Sequence, residues 1–328
     1  MTYKTHRLIL LAAIFTFVAL PAMGDPFHRW SPELGRLKTT AEVETSGFTK
    51  QSWHGRNREL GWLDFSAKGF LPVMQRERLE WSVQPHFSWR AIQGGAMLET
   101  ANEPLPDDLY EIGVGTTLRM KLNNGWIVGG NFDISSPSDK PFASHDEVTL
   151  NTTLFAQMPW KDAIDLVATV NVSNDRNFAP CIPLPGGAIH YYPSRELDVF
   201  LGIPFTSARW QPIEDLTLSM RWMMLRDLHA KVSYRICGPV SAYASFDWGE
   251  DIWLRHDRRH ETNRLTYEDK QVALGVRWDI SECFFVDAAG GWAWDRFWYE
   301  GDSYADRDRN RIKLEEGCFA RLRVGVQF

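Results

Sequence analysis

The sequence has no hydrophobic run long enough to cross a bilayer as a helix. The one sustained apolar stretch, Leu8 to Leu20, has 13 residues, whereas a membrane-spanning helix needs about 20. A bundle of transmembrane helices is therefore excluded. Positive charge is also lacking in excess: 36 Lys and Arg stand against 42 Asp and Glu, a formal net charge of −6, so no electrostatic footprint for a nucleic-acid partner is present. Cysteine is scarce, with four in 328 residues, too few for a disulfide-built scaffold. Disorder is excluded in turn by 44% hydrophobic residues against 24% charged. What the chain does have is aromatic surface. Its 15 Trp, 9 Tyr and 19 Phe exceed the needs of one small core and fit a protein that presents a large apolar face.

Residues 1–24 read as an export signal. Lys4, His6 and Arg7 make a basic start, Leu8 to Leu20 is the apolar segment, and Pro21-Ala22-Met23-Gly24 places small residues at −3 and −1 of a cut before Asp25. No cysteine lies near that cut, so no lipid anchor is expected. Residues 25–36 are then a periplasmic N-terminal segment, and residues 37–328 form the remaining domain.

That domain alternates. From Tyr110 the even positions read Tyr110, Ile112, Val114, Thr116, Leu118, Met120 and Leu122, while Glu111, Gly113, Gly115, Thr117, Arg119 and Lys121 fill the odd ones, a period of two that marks a strand with unlike faces. Asn123-Asn124-Gly125 supplies a tight turn. Similar segments recur to the C-terminus. Short connections (123–125, 159–163, 193–196, 213–215, 237–239, 279–282) alternate with long polar ones (47–60, 91–108, 136–146, 174–185, 249–265, 300–311). Trp62, Trp89, Trp126, Tyr192, Trp248, Trp278 and Trp294 fall near segment ends, where an aromatic girdle would meet lipid headgroups. Strands of this length with unequal rims predict an all-β fold, a transmembrane antiparallel up-and-down β-barrel of about 14–16 strands. Sixteen requires a separate short strand near Ala208–Pro212. Pro85 and Pro204 are expected to interrupt two strands with bulges.

Leu322, Val324, Val326 and the terminal Phe328 alternate with Arg321, Arg323 and Gln327. This pattern resembles the closing strand of bacterial outer-membrane proteins, which implies that Val324, Val326 and Phe328 are an assembly signal for the barrel-assembly machinery. Pro185-Gly186-Gly187, Tyr191-Tyr192-Pro193-Ser194, Leu201-Gly202-Ile203-Pro204-Phe205 and Arg209-Trp210-Gln211-Pro212 resemble an uncharacterised family of bacterial outer-membrane β-barrels with no assigned function. The resemblance implies an outer-membrane location, with membrane lipids as neighbours, and brings no catalytic residue.

Alternation also assigns a lumen. Arg90, Arg119, Lys121, Asp133, Arg221, Arg235, Arg277, Arg321 and Arg323 fall on the inward face, with Glu80, Glu111, Asp165, Lys231 and Asp287. Both signs are present, so strong ion selection is not expected. A lumen of 14–16 strands is too wide for its own side chains to fill, which favours a passive pore for small solutes over a structural or surface-binding barrel. Under that reading Arg119 is a solvated, weakly paired charge, and Arg119→Leu would cost little stability. His86 and Ser88 form a His-x-Ser pair of the kind used by outer-membrane lipid hydrolases, but the alternation turns them inward, away from acyl chains, so the chain is read as a non-enzyme. His145-Asp146, His256-Asp257 and Asp107-Asp108 are expected as solvated loop charge. The acidic run Asp302, Asp306, Asp308 lacks an EF-hand spacing, and no metal or cofactor is expected. Export to an oxidising compartment permits disulfides; among Cys181, Cys237, Cys283 and Cys318, only Cys237 and Cys283 share a rim and have the geometry to pair, and Cys318 is expected to face lipid.

Overall fold

The computed structural model describes residues 30–53, 56–98, 103–176, 179–224, 227–308 and 311–328; the export signal expected over 1–24 lies outside them. The strands are β1 (Thr40–Trp53), β2 (Arg56–Arg76), β3 (Leu79–Gln93), β4 (Met97–Leu98), β5 (Glu103–Pro104), β6 (Asp108–Lys121), β7 (Ile127–Ser138), β8 (Thr149–Lys161), β9 (Ile164–Ser173) and β10 (Leu184–Tyr191). They continue as β11 (Leu197–Ile203), β12 (Phe205–Ile213), β13 (Leu216–Met223), β14 (Asp227–Cys237), β15 (Val240–Trp253), β16 (Arg264–Asp279), β17 (Phe284–Gly301), β18 (Arg311–Leu314) and β19 (Gly317–Gln327). Apart from the small β4–β5 hairpin, each strand pairs antiparallel with the next, and β1 pairs with both β2 and β19. The sheet is therefore a closed barrel without a free edge strand. The strands β18 and β19 are two parts of one stave interrupted at Glu315-Glu316, since Leu314 faces Arg296 and Gly317 faces Ala293 along β17. The wall then has 16 staves.

Outward faces are apolar over the whole circumference: Leu118, Leu154, Leu201, Tyr234 and Leu274 are all about half exposed or more. In water such a surface would be costly, and in a bilayer it is solvated by acyl chains. No helix among the described residues is long and apolar enough to cross a membrane.

The wall is uneven in height. The strand β2 has 21 residues and β17 has 18, whereas β11 has 7 and both β10 and β13 have 8. At about 3.3 Å per residue and a tilt near 40°, these correspond to roughly 50 Å and roughly 18 Å of height. The span 47–60, expected as a long loop, is mostly strand, because β1 and β2 stay paired to Trp53 and Arg56. Pro204, expected to bulge a strand, is instead the turn between β11 and β12, a place where its missing N–H costs no ladder bond. Pro85 sits opposite Val114 in unbroken register with β6, while on the β2 side the pairing skips from Lys68/His86 to Leu71/Val83 without a register shift, and the bulge falls instead at Pro72/Met74 of β2. The extra strand expected over Ala208–Pro212 is β12, which starts earlier, at Phe205.

Inside, the largest apolar cluster lies toward the rim that carries the long loops. It joins Phe48, Trp62, Trp253, Tyr267, Trp298 and Phe319 from the wall with Ala96, Leu98 and Leu105 from the segment around the β4–β5 hairpin. Trp62, expected in the lipid girdle, is thus an interior residue, because it sits on the inward face of β2 opposite Ile92.

Candidate functional site: the lumen

The register fixes which side chains point inward, and their neighbours divide the lumen into three environments. Toward the long-loop rim, Arg90 is enclosed by aromatic rings. Its guanidinium carbon lies 4.8 to 5.6 Å from the ring centroids of Trp62, Trp253, Tyr267 and Trp298, while its nitrogens pair with Asp64 and with Asp251 at 3.0 Å. Arg296 lies 4.4 Å from the ring of Phe48 and donates to Gln51 at 2.7 Å. Each planar cation is held by π faces and paired oxygens in place of water. This end is a packed core.

Two loops close over it. The strands β7 and β15 stand fifth and thirteenth of the 16 staves and so face each other across the lumen. Just beyond β15, Leu254 N–H donates to Pro137 O of β7 at 2.7 Å, and His256 N–H donates to Asp139 at 2.7 Å. Glu147 anchors the bridge: it accepts from Ser144 N–H at 2.6 Å and pairs with His256 at 3.1 Å and Arg258 at 3.7 Å. Burial pushes the Glu147 carboxyl up, but the Ser144 and His256 hydrogen bonds outweigh it and hold the group below its ordinary value. His256, expected as part of solvated loop charge, is a member of this bridge.

At the short-turn rim, residues 30–37 run inside the barrel mouth. Trp30 stacks on Phe200 of β11 (centroids 4.7 Å apart, planes at 28°) and meets Phe155 of β8 edge-on at 5.2 Å. Its carbonyl accepts from Gln157 at 2.9 Å. Ser31 O accepts from Arg119, Lys121 reaches Pro32 O at 3.5 Å, Gly35 N–H donates to Glu80, and Leu37 N–H donates to Gln75 at 2.8 Å. Arg119 also pairs with Glu80 at 2.9 Å, and both side chains are almost fully buried. This corrects the expectation of a solvated Arg119: the inward assignment holds geometrically, but the N-terminal segment lies over the guanidinium and removes its water. No periodicity within β6 signals this, because the covering residues are about ninety positions away.

The third environment is wet. Along β14 the inward side chains Asp227, His229, Lys231 and Arg235 are 40, 36, 25 and 50% exposed, so this face stays open to solvent along the strand. Arg221 is 3.7 Å from Asp227, Arg235 is 3.9 Å from Asp215, and Arg277 pairs with Asp279 at 2.7 Å. Arg323 reaches Glu44 at 2.8 Å and Glu42 at 3.4 Å, and Arg321 lies inward opposite Ser46 and Ala289. The low wall lies beside this arc. There β11 and β12 are connected by Pro204 alone.

Asp133 belongs to a mid-lumen group. His86 lies between Glu111 (3.7 Å) and Asp133 (3.8 Å), and Ser88 donates to Glu111 at 3.4 Å. The ring fits because Gly113 is opposite: a Cβ there would sit 2.3 Å from His86 Nε2. Ser88 is thus directed to a carboxylate, and His86 is flanked by two. Among the described residues no cluster of three or more His, Cys, Asp or Glu could hold a metal ion. The four cysteines are separate, exposed thiols, and Cys318 lies opposite Trp292 on the outward face. At the C-terminus, Val324 pairs with Val43, Val326 with Ala41, and Phe328 N–H donates to Thr39 O at 2.8 Å, which closes the barrel.

No protein-family model matches the sequence, and no curated protein matches it significantly. Solved structures with similar folds are outer-membrane barrels. The COG4313 outer membrane channel from Pseudomonas putida F1 aligns at TM-score 0.40 and 10% identity, over 93% of this chain and 100% of its own. The translocator domain of the autotransporter NalP from Neisseria meningitidis aligns at TM-score 0.33 and 10% identity, over 99% and 95%. A mutant porin of Rh. blastica aligns at TM-score 0.30 and 10% identity, over 89% and 100%. What the chain shares with these proteins is the architecture of a β-barrel wall.

Proposed function

We propose that this chain is an outer-membrane pore through which small hydrophilic solutes pass passively, with its short turns toward the periplasm and its long loops outside. One observation carries the reading: the inward charges of β14 stay a quarter to a half solvent-accessible from Asp227 to Arg235, and the mid-lumen Glu111 and Asp133 are open to a similar degree. A barrel serving only as a scaffold gains nothing from a wet stripe of this kind. Residues of both signs line it, namely Arg221, Arg235, Arg277, Arg321 and Arg323 with Asp215, Asp227, Asp247 and Asp279, so a transverse field rather than a single-sign filter orients the solute. The reading assigns no catalytic residue and no cofactor. Val324, Val326 and Phe328 serve assembly, and deletion of Phe328 should slow insertion while leaving inserted barrels unchanged in conductance.

The test is conductance of the purified protein in a planar lipid bilayer. Stepwise openings are expected. Silent insertion, verified by heat-modifiable mobility of the recovered barrel, would overturn the pore and leave a structural or surface-binding barrel.

A further inference from the structure

We infer that residues 30–37 are a plug docked in a receptor built into the lumen, and that this plug rather than the wall sets the width of the short-turn opening. The inference rests on the pore reading and concerns its regulation. Three observations carry it. The receptor is made of inward side chains from separate staves, chiefly Phe155, Gln157 and Phe200 around Trp30, with Glu80 and Arg119 below them. Gln157, Glu80 and Arg119 are each no more than 2% exposed, though they belong to a lumen whose opposite arc is wet. Finally, the segment adds no strand to the sheet. It begins to pair with the wall only at Thr40.

The chemistry of these contacts makes the plug removable. One aromatic side chain is inserted, and it buries apolar surface against two rings. The other contacts shown are mainly hydrogen bonds to plug main-chain atoms, which water replaces at small net cost. The wall ladder is complete without the segment. Withdrawal therefore hydrates Glu80, Arg119 and Gln157 without breaking a strand pair, and it widens the mouth on the side of β3 to β11. Because most of the polar contacts are to main chain, the receptor would accept the same peptide supplied in trans.

The experiment compares the full mature chain with a variant lacking residues 30–36 and with Trp30→Ala, each in a planar bilayer. The plug predicts a severalfold larger unitary conductance for the deletion, a smaller rise or frequent flicker for Trp30→Ala, and a return toward the parent value when a synthetic peptide of residues 25–37 is added on the short-turn side. A silent parent with a conducting deletion also supports it. Equal conductance of parent and deletion would overturn the plug while leaving the pore intact. Silence of both would overturn the pore, and accessibility then decides the plug. With the native cysteines replaced by serine, Phe200→Cys should react with an impermeant maleimide only in the deletion background. Equal labelling in both backgrounds would overturn the docked segment.

Discussion

The two staves β6 and β14 stand opposite each other, fourth and twelfth of 16, and carry the same alternation of apolar and polar residues. On β14 the inward charges keep a quarter to a half of their surface in water. On β6, Leu109 is fully buried and Thr117 and Arg119 are 7% and 2% exposed, whereas the mid-strand Glu111, at 40%, is as open as the β14 charges. The strands do not cause this difference. The apolar cluster around the β4–β5 hairpin covers one end of β6, and the segment carrying Trp30 covers the other, whereas the contacts of the β14 charges are to side chains of nearby staves such as Tyr243, Asp247 and Asp287. Inward therefore means two things in one barrel: part of a packed interior, or part of an open, solvent-accessible face.

Substitutions can sharpen that contrast. The largest effect is expected in the packed half. Trp298 is completely buried against Trp62, Trp253 and Tyr267, so Trp298→Ala should cost about 3–5 kcal/mol by loss of contacts and formation of a cavity. Urea unfolding from vesicles would measure it. Arg119→Leu should be nearly as costly, about 3–5 kcal/mol, because it strands the buried Glu80 carboxylate. A loss below 1 kcal/mol would mean that the N-terminal segment does not cover this arc in solution. Next comes the lipid face of the same stave: Leu118 is 49% exposed, and Leu118→Arg near the bilayer midplane should destabilise by about 2–4 kcal/mol.

A smaller effect is expected from acid at the loop bridge. The Glu147 carboxyl titrates below its ordinary value of 4.5 in the folded chain. Its contribution is therefore fully present above pH 4.5 and is lost as the pH falls through the lower folded value. Proteolysis within residues 254–263 should accelerate over that range in the parent, and Glu147→Gln should show the faster cleavage already at neutral pH. Unchanged cleavage in Glu147→Gln would remove the carboxylate from the bridge. The smallest stability change belongs to the wet stave: Arg235→Leu should cost less than about 1 kcal/mol, since a half-exposed pair at 3.9 Å is weak. Its readout is the reversal potential in a salt gradient, which should move toward cations as a positive group leaves the path.

Much of the wall was legible without a structure because its signals are local. Alternation from Tyr110 to Leu122 assigns faces residue by residue. Asn123-Asn124-Gly125 marks a turn in which Gly125 takes φ +87°. A count of sixteen required a separate short strand near Ala208–Pro212, which β12 supplies. Pro204 was misplaced for a local reason as well: a proline inside an apolar run reads as a bulge until pairing shows that the run contains two strands. Trp62 was misread because an aromatic near a strand end looks the same whether lipid or a hairpin covers it.

The sequence by itself determined that the chain forms a barrel and, along strands with a clean alternation such as β6, which side chains face in, since a period of two admits only two faces and the polar one avoids lipid. Whether an inward residue is wet was decided only by the tertiary structure. Gln157 is dry because it meets Trp30, 127 residues away, and Arg90 is dry because four rings from β2, β15, β16 and β17 surround it. Hydration depends on what else occupies the lumen, and that occupant comes from parts of the chain that no repeat within the strand can specify.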